Sequence, residues 1–269
     1  MTATSSGSSF SKLRVDHPAP GVRRLVFDRP EARNALDLEL LRAFAEAVQI
    51  ASTDEAVRAV LLAGSGASFS VGGDVKLMDQ AGQERRPQLL RELVRHFHTA
   101  VLGIASMPKP VVAAVRGGAG GGGLSIMLAC DLAVVDEAGK FAVGFNLIGL
   151  SPDGGLTYHL PRRVGLQRAA ELCFLNPIFD GRRAVELGLA NRAVPAERVD
   201  EEALALAAQL ASGPTRAFAR TKELLRAERG LSETLVAERQ SISELSGEPD
   251  ATEGLQAFVS KRPPRFRDH

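Results

Sequence analysis

The stretch RGGAGGGGLSIMLACD, residues 116–131, places six glycines in the seven positions 117–123. Each glycine in place of alanine destabilises an ordered backbone by about 0.5–1 kcal/mol, so a cluster of this density indicates a structural or functional requirement. The apolar run KPVVAAV (109–115) predicts a strand before the cluster, and LSIMLAC (124–130) predicts a short helix after it. The sequence therefore predicts a strand-to-helix turn at which another group approaches the main chain closely, or at which the chain bends where a Cβ atom would clash.

The segments on either side of this turn predict an α/β core followed by a helical region. Strands are predicted over 12–16, 22–28, 57–64, 109–115 and 131–136, with an amphipathic helix over 37–52 and a long helix that ends before Pro108. This alternation is typical of a parallel sheet layered with helices. Beyond about residue 165 the periodicity is mostly helical, near 167–175, 181–188, 198–211, 214–228, 231–246 and 250–260. We therefore predict a disordered lead-in over 1–11, an α/β core over 12–200 and a helical C-terminal region over 201–269.

The composition is that of an ordinary globular protein. A hydrophobic fraction of 45% and a formal net charge of +1 give no indication of a nucleic-acid partner or of binding to a membrane. The two cysteines, Cys130 and Cys173, lie in apolar stretches, which favours buried thiols in a reducing compartment over disulfides or a zinc site. The first ten residues lack the basic and apolar regions of a signal peptide, and no spacing typical of metal ligands is present. We expect a cytoplasmic protein without a bound metal.

One interpretation of the glycine cluster is a dinucleotide-binding turn. Gly118, Gly120 and Gly123 satisfy the pattern G-x-G-x-x-G after a predicted strand. Asp136 ends the next strand, near the position at which such folds bind a ribose. A run of six glycines matches almost any glycine pattern, however, and the helix that follows is short for a crossover along a sheet. A nicotinamide oxidoreductase is therefore the less favoured hypothesis.

A second interpretation of the cluster is an oxyanion hole. A glycine-rich turn at the start of a helix leaves backbone N–H groups unpaired, and the helix dipole adds about half a positive charge there. The loop FSVGGD (69–74) also follows a predicted strand and carries Gly73. Two such loops can direct two N–H groups at one oxygen, which holds an enolate or a tetrahedral oxyanion better than a single donor. Two ordinary tight turns are the alternative.

Five stretches together resemble the enoyl-CoA hydratase/isomerase family, the crotonase superfamily. They are RPEARNALDLELL (29–41), FSVGGDVKLM (69–78), KPVVAAVRGGAGGGGLSIMLACD (109–131), IGLSPDGGLTYHLPRRVG (148–165) and AFVSKRPPRF (257–266). They occur in the order and spacing of the family, over roughly residues 12–266. Each stretch alone is a weak signal, whereas the five together are highly specific.

The resemblance implies an α/β fold with a repeated ββα core, the ClpP/crotonase spiral, and a helical C-terminal trimerisation region. Family members form homotrimers, often paired as hexamers (dimers of trimers). They act on acyl-CoA thioesters and need no cofactor beyond the coenzyme A of the substrate. The thioester oxygen is held between two backbone N–H groups, which correspond here to Gly73 and Gly122.

The resemblance also implies where coenzyme A is bound. Ala32, Val71, Gly73 and Val75 correspond to positions that contact the CoA nucleotide. Phe258 and Lys261 correspond to C-terminal positions that reach the CoA of a neighbouring subunit. A solvated charge in the C-terminal tail is an equal alternative for Lys261.

The chain departs from the hydratases of the family at two positions. Ser125 and Phe145 stand where these hydratases have two glutamates that handle the water molecule and the α-proton. Neither side chain is a general base at neutral pH. Hydration by the two-glutamate mechanism is therefore not expected.

Asp153, in SPDGG (151–155), corresponds to the acidic residue of isomerase-type members. One carboxylate can take a proton from one carbon and return it to another, which is a 1,3-proton shift. The same residues form a turn signature, so a cap on a helix that starts near 155 is the alternative role for Asp153. We expect an enoyl-CoA isomerase that uses Asp153. A hydratase that acts without the glutamate pair, or an acyl-CoA-binding protein with impaired catalysis, is the alternative.

Four other polar residues are weaker candidates for the site. His96 and His98 lie on the long helix after the first loop, and His98 is one position away from the apolar face around Phe97, so a surface position is equally compatible with it. Tyr158 and His159 follow Asp153 closely and are candidates for the wall of the pocket.

Overall fold

The computed structural model describes residues 10–267, so residues 1–9 of the expected lead-in lie outside the described part of the chain. The strands are β1 (Leu13–Ala19), β2 (Val22–Phe27), β3 (Ala59–Gly64), β4 (Val111–Val115), β5 (Gly118–Gly120), β6 (Leu132–Asp136), β7 (Lys140–Ala142) and β8 (Arg192–Val194). The α-helices are α1 (Leu38–Thr53), α2 (Val75–Gln80), α3 (Gly82–Ser106), α4 (Gly122–Ala129), α5 (Leu156–Val164), α6 (Leu166–Leu175), α7 (Gly181–Glu186), α8 (Val199–Ala211), α9 (Thr215–Arg226), α10 (Leu231–Ser246) and α11 (Pro249–Val259). Short 3₁₀ helices cover Pro30–Ala32, Phe145–Ile148 and Ala196–Arg198.

Six strands form the main sheet in the order β1-β2-β3-β4-β6-β8. The pair β1–β2 is antiparallel, and the other neighbours are parallel. Every residue of β3 and β4 is buried, because these apolar strands are covered by helices on both faces of the sheet. Helices α1 and α3 pack on one face, and α8 packs on the other. The predicted α/β class is confirmed.

The glycine cluster is more than a turn. Its first part, Gly118–Gly120, is strand β5, which pairs in parallel with β7 in a separate two-stranded sheet. Strands β5, β7 and β8 were not predicted from the sequence, since strands of three residues are too short to show alternation. The helix predicted from Leu124 begins at Gly122. Its first two residues are therefore the last two glycines of the cluster.

The C-terminal third of the described chain is mostly helical, as predicted. The boundary expected after residue 200 lies just inside α8. This helix buries Ala203, Ala207 and Ala211 against the sheet, whereas α10 and α11 have mostly exposed residues. Among residues 10–267, no helix combines the length and the apolar character that crossing a membrane requires.

Candidate active site

The loop between β3 and α2 carries the first predicted oxyanion donor, and a buried polar network holds it. The Arg29 guanidinium donates to Asp74 Oδ2 at 2.6 Å, and Asp74 caps α2 by accepting from the Leu77 N–H. Burial disfavours the charged form of Asp74, but the hydrogen bonds from Arg29 and the Leu77 N–H, together with the charge of Arg29, outweigh it. The pKa of Asp74 therefore lies below its usual value. The fully buried Asn34 amide donates to the carbonyls of Ser65 and Ser68. The loop is therefore fixed at both of its ends.

The two glycine loops meet at their tips. A Cβ atom built on Gly72, which has a φ of +91°, would lie 2.8 Å from Gly120 O and 2.9 Å from Gly122 N. Only a glycine permits this approach of one backbone to another. The Gly72 carbonyl accepts from the Leu36 N–H at 2.8 Å. The first loop is therefore fixed between residue 36 and the start of α4.

Two backbone N–H groups lie unpaired where the loops meet. Within residues 10–267, neither the Gly73 N–H nor the Gly122 N–H donates to another protein group. Gly122 is the first residue of α4, where the N–H groups have no partner within the helix and the helix dipole is positive. These two donors can stabilise a negative charge that develops on one carbonyl oxygen.

The donors open onto a cavity of about 420 Å³ with largely apolar walls. Its lining residues are Leu36, Leu41, Val71, Gly73, Val75, Met78, Leu90, Leu93, Val94, Phe97, Gly120, Gly121, Gly122, Gly144, Phe145, Ile148, Leu150, Ser151, Pro152 and Asp153. Asp153 supplies the one ionisable side chain of this lining. A hydrocarbon acyl group therefore fits the walls, with one carboxylate available for chemistry.

Asp153 is paired with a histidine from the long helix α3. Asp153 Oδ1 lies 2.6 Å from His98 Nε2, and the two side chains are 30% and 49% exposed. His98 does not line the cavity, so it contacts the carboxylate from outside. From the sequence, His98 was compatible with a surface position as well as with the pocket, because its periodicity only shows that it neighbours the apolar face. The only sequence signal for a role of His98 at the site was its position next to Phe97, on the apolar face of α3.

The structure brings most of the predicted site residues to this cavity. Val71, Gly73, Val75, Gly122 and Asp153 all line it. The others lie elsewhere in this chain: Ala32 ends a 3₁₀ helix and does not line the cavity, Phe258 near the end of α11 is 85% exposed, and the exposed Lys261 follows that helix. The CoA contacts assigned to these three residues, and those assigned to Val71, Gly73 and Val75, stay predictions.

The positions of the two family glutamates also differ in their surroundings. Phe145 lines the cavity, whereas Ser125 is fully buried on α4 and does not line it. The Ser125 hydroxyl donates to the backbone carbonyl of Asp153 at 2.7 Å. Neither position therefore supplies a carboxylate to the cavity.

Two alternatives from the sequence are wrong. Asp153 does not cap a helix with its side chain, because α5 has Gly155 as its N-cap and no side-chain cap. Asp136, the acidic residue of the dinucleotide hypothesis, accepts hydrogen bonds from the N–H groups of Gly117 and Ala138. It therefore stabilises the turn after β6 and is not available to bind a ribose.

Tyr158 and His159 line a different and larger cleft of about 1030 Å³, between α3, α5, α9 and α10. Burial, together with nearby Arg163, Arg226 and Arg162, lowers the pKa of His159 to about 4. This imidazole is therefore neutral at pH 7. Neither residue contributes to the cavity at the glycine N–H groups.

Comparison with known proteins identifies the family. The sequence profile described as enoyl-CoA hydratase/isomerase matches residues 19–269, and the chain belongs to this family. The fold is that of the crotonase superfamily: an enoyl-CoA hydratase structure from Bacillus anthracis superimposes with a TM-score of 0.90 at 30% identity, over 96% of this chain and 100% of that one.

Similar curated proteins have different activities in their names. A "probable enoyl-CoA hydratase" of Rhodobacter capsulatus is 37% identical over 96% of this chain and 98% of its own length. The 1,2-epoxyphenylacetyl-CoA isomerase of Escherichia coli is 32% identical, over 94% and 97%. A 4-chlorobenzoyl coenzyme A dehalogenase of an Arthrobacter species is 33% identical, over 95% and 93%. The family is thus an enzyme family that acts on CoA thioesters, and relatives of similar identity to this chain bear names of different reactions.

Proposed function

We propose that this chain is an enoyl-CoA isomerase in which Asp153 moves a proton between two carbons of an acyl-CoA. The observation that carries the proposal is the single carboxylate on the wall of a cavity that also contains two unpaired backbone N–H groups. The Gly73 and Gly122 N–H groups would bind the thioester oxygen. Asp153 would remove a proton from C2 of a 3-enoyl-CoA and return it to C4, which leaves the double bond conjugated with the thioester.

The electrostatics of the site support this reaction. Proton removal beside a thioester places negative charge on its oxygen, and two preorganised N–H donors stabilise that charge in apolar surroundings. A 1,3-shift needs one base that later acts as an acid, and Asp153 supplies it. The absence of a carboxylate at Ser125 and Phe145 argues against hydration by a glutamate pair.

The test is deuterium exchange and double-bond migration in D₂O, followed by mass spectrometry, with 3-enoyl-CoA and 2-enoyl-CoA. The wild type is compared with Asp153→Asn, which keeps the shape of the side chain and removes the base. A loss of about 10²–10⁴-fold is expected for removal of a general base. Retention of exchange in Asp153→Asn assigns the base to another residue. Absence of double-bond migration in the wild type contradicts the isomerase proposal, and intact binding of acyl-CoA in that case favours a binding protein with impaired catalysis.

The contact of 2.6 Å between His98 and Asp153 favours a second candidate function, hydrolytic displacement at an acyl-CoA carbon. Such a displacement needs a nucleophile and a base that takes a proton from water, and the pair offers a carboxylate and an imidazole. One of the similar proteins is a 4-chlorobenzoyl-CoA dehalogenase. Chloride release from 4-chlorobenzoyl-CoA, lost in His98→Gln, would establish this function. Isomerisation that is largely retained in His98→Gln would favour the first candidate.

We also propose that the chain forms a trimer or a dimer of trimers through its C-terminal helices. Large apolar side chains of α9–α11 are exposed, among them Leu225, Leu231, Leu255, Phe258 and Val259. Apolar surface of this extent is typical of an interface. Analytical ultracentrifugation tests the proposal, and a monomer at micromolar concentration contradicts it.

A further inference from the structure

Asp153 is held by its backbone as well as by its carboxylate. The Ser125 hydroxyl donates to the Asp153 carbonyl at 2.7 Å, whereas its distance to the carbonyl of Gly121, the N-cap of α4, is 3.4 Å. A hydroxyl has one proton to donate, and the shorter contact is the stronger hydrogen bond. Ser125 is fully buried, so water does not compete for it. The bond therefore ties the turn that carries Asp153 to helix α4.

The same turn is packed tightly against α3 and α4. Gly154 has a φ of +64°, and a Cβ atom there would lie 2.3 Å from Phe97 Cε1 and 3.0 Å from Ser125 Cβ. The Phe97 ring also lies beside the oxyanion glycine, since a Cβ atom on Gly122 would be 3.3 Å from Phe97 Cζ. One aromatic ring thus contacts both the turn of the base and the first residue of α4. These contacts leave the turn little room to move toward α3 or α4.

Ser125 and Gly122 lie three residues apart on α4, so a rigid element joins the hydroxyl to the oxyanion donor. We propose that Ser125 is a positioning residue: its hydrogen bond to the Asp153 carbonyl fixes the carboxylate relative to the Gly122 N–H, and hence relative to the acidic proton of a bound thioester. The inference rests on the proposed role of Asp153 as the base. It gives a function to the serine that stands where hydratases of the family have a glutamate.

The test compares Ser125→Ala, which removes the donor, with Ser125→Cys, which keeps a weak S–H donor of similar shape. Ser212→Ala is the matched control, because the Ser212 hydroxyl also donates to a backbone carbonyl at 2.8 Å but lies on the surface at the end of α8. We measure kcat and KM for isomerisation of 3-enoyl-CoA. We also measure the affinity and the carbonyl ¹³C chemical shift of bound butanoyl-CoA, a saturated thioester labelled at its carbonyl.

Ser125→Ala is expected to lower kcat about 10–100-fold, because a displacement of roughly 1 Å can cost about 10² in rate. The affinity and the ¹³C shift should stay at wild-type values, since both oxyanion donors remain. Ser125→Cys should recover part of kcat, and Ser212→Ala should match the wild type. This split between kcat and binding is not expected from a general loss of stability.

Three outcomes overturn the inference. If Asp153→Asn is inactive but Ser125→Ala keeps kcat within twofold of the wild type, the positioning role alone fails. If Ser125→Ala loses affinity and the ¹³C shift together with kcat, the serine supports the whole site and not the base. If Asp153→Asn keeps its activity, or if the wild type is inactive, the proposed function is refuted and the positioning role of Ser125 is refuted with it.

Discussion

The first residue of α4 offers a substitution that removes one of the two proposed oxyanion donors without breaking a hydrogen bond of the fold. Gly122 is the first helical position and is not among the glycines with a positive φ. Proline is well tolerated at this position, because the N–H of the first helical residue has no partner within the helix. In the described chain the Gly122 N–H donates to no protein group. Gly122→Pro therefore costs the fold no hydrogen bond.

Gly122→Ala is the matched control for the added side chain. A Cβ atom at this position would lie 3.2 Å from Leu36 Cδ1 and 3.3 Å from Phe97 Cζ, which is tight for both variants. The alanine variant carries this crowding but keeps the N–H group. The difference between the proline and alanine variants therefore reports the loss of the N–H group together with the added bulk of the proline ring.

Loss of one of two oxyanion donors costs about 2.7–4 kcal/mol of transition-state stabilisation, or about 10²–10³ in kcat. We expect this ratio between Gly122→Ala and Gly122→Pro in the isomerisation of 3-enoyl-CoA. The dissociation constant of a saturated acyl-CoA, measured by calorimetry, reports whether the proline ring blocks the cavity. Equal rates for the two variants at equal affinity would refute the role of the Gly122 N–H, and with it the oxyanion hole formed by the two glycine loops.

Three further predictions concern stability. Asp131→Asn is expected to lower the free energy of unfolding by about 3 kcal/mol, because it leaves the charges of Lys222 and Arg226 without their shared carboxylate; chemical denaturation measures this, and a loss below that of an exposed salt bridge contradicts it. Gly154→Ala is expected to cost about 2–5 kcal/mol from left-handed strain and overpacking against the aromatic ring of α3, and a melting temperature equal to that of the wild type would disprove the tight packing. His159 has a pKa of about 4 in the folded protein against an ordinary 6.5, so the unfolded state binds more protons between these values. Above pH 7 the imidazole is neutral in both states and does not affect stability, whereas stability is lost as the pH falls from 6.5 to 4. His159→Gln should flatten this part of the profile of melting temperature against pH. An unchanged profile would contradict the lowered pKa of His159.

The sequence predicted the elements that have a strong hydrophobic period, and it missed those that depend on tertiary contacts. Helix α1 begins one residue from its expected start, because Asp37 caps it and its apolar face is continuous. Strands β5 and β7 were not predicted, since three residues are too few to show an alternation of apolar and polar side chains, and β5 consists of Gly-Ala-Gly. The start of α4 at Gly122 was hidden as well, because glycine is a poor helix former and only the packing of the cluster makes it helical.

The sequence predicted which residues lie at the candidate site, but not the hydrogen bonds between them. Gly73, Gly122 and Asp153 reach one cavity, as a resemblance in five spaced motifs implied. The partners of Asp153 were not predicted, because His98 and Ser125 lie 55 and 28 residues away in sequence. No local pattern encodes such a contact. It arises from the packing of α3 and α4 around the turn that carries Asp153.

The hydrogen bonds of Asp153 limit the chemistry that one carboxylate can perform. Oδ1 is hydrogen-bonded to His98, so in the proposed reaction Oδ2 is the oxygen that would take the proton of the substrate. Addition of water needs one group to activate the water while another protonates the α-carbon, and a single free oxygen cannot serve both at once. A 1,3-shift uses that oxygen twice in succession, first as base and then as acid. Because the proton is removed and returned by the same atom, both transfers must occur on the same face of the acyl chain, and some of the original proton should reach the product when exchange with solvent is slower than the return step.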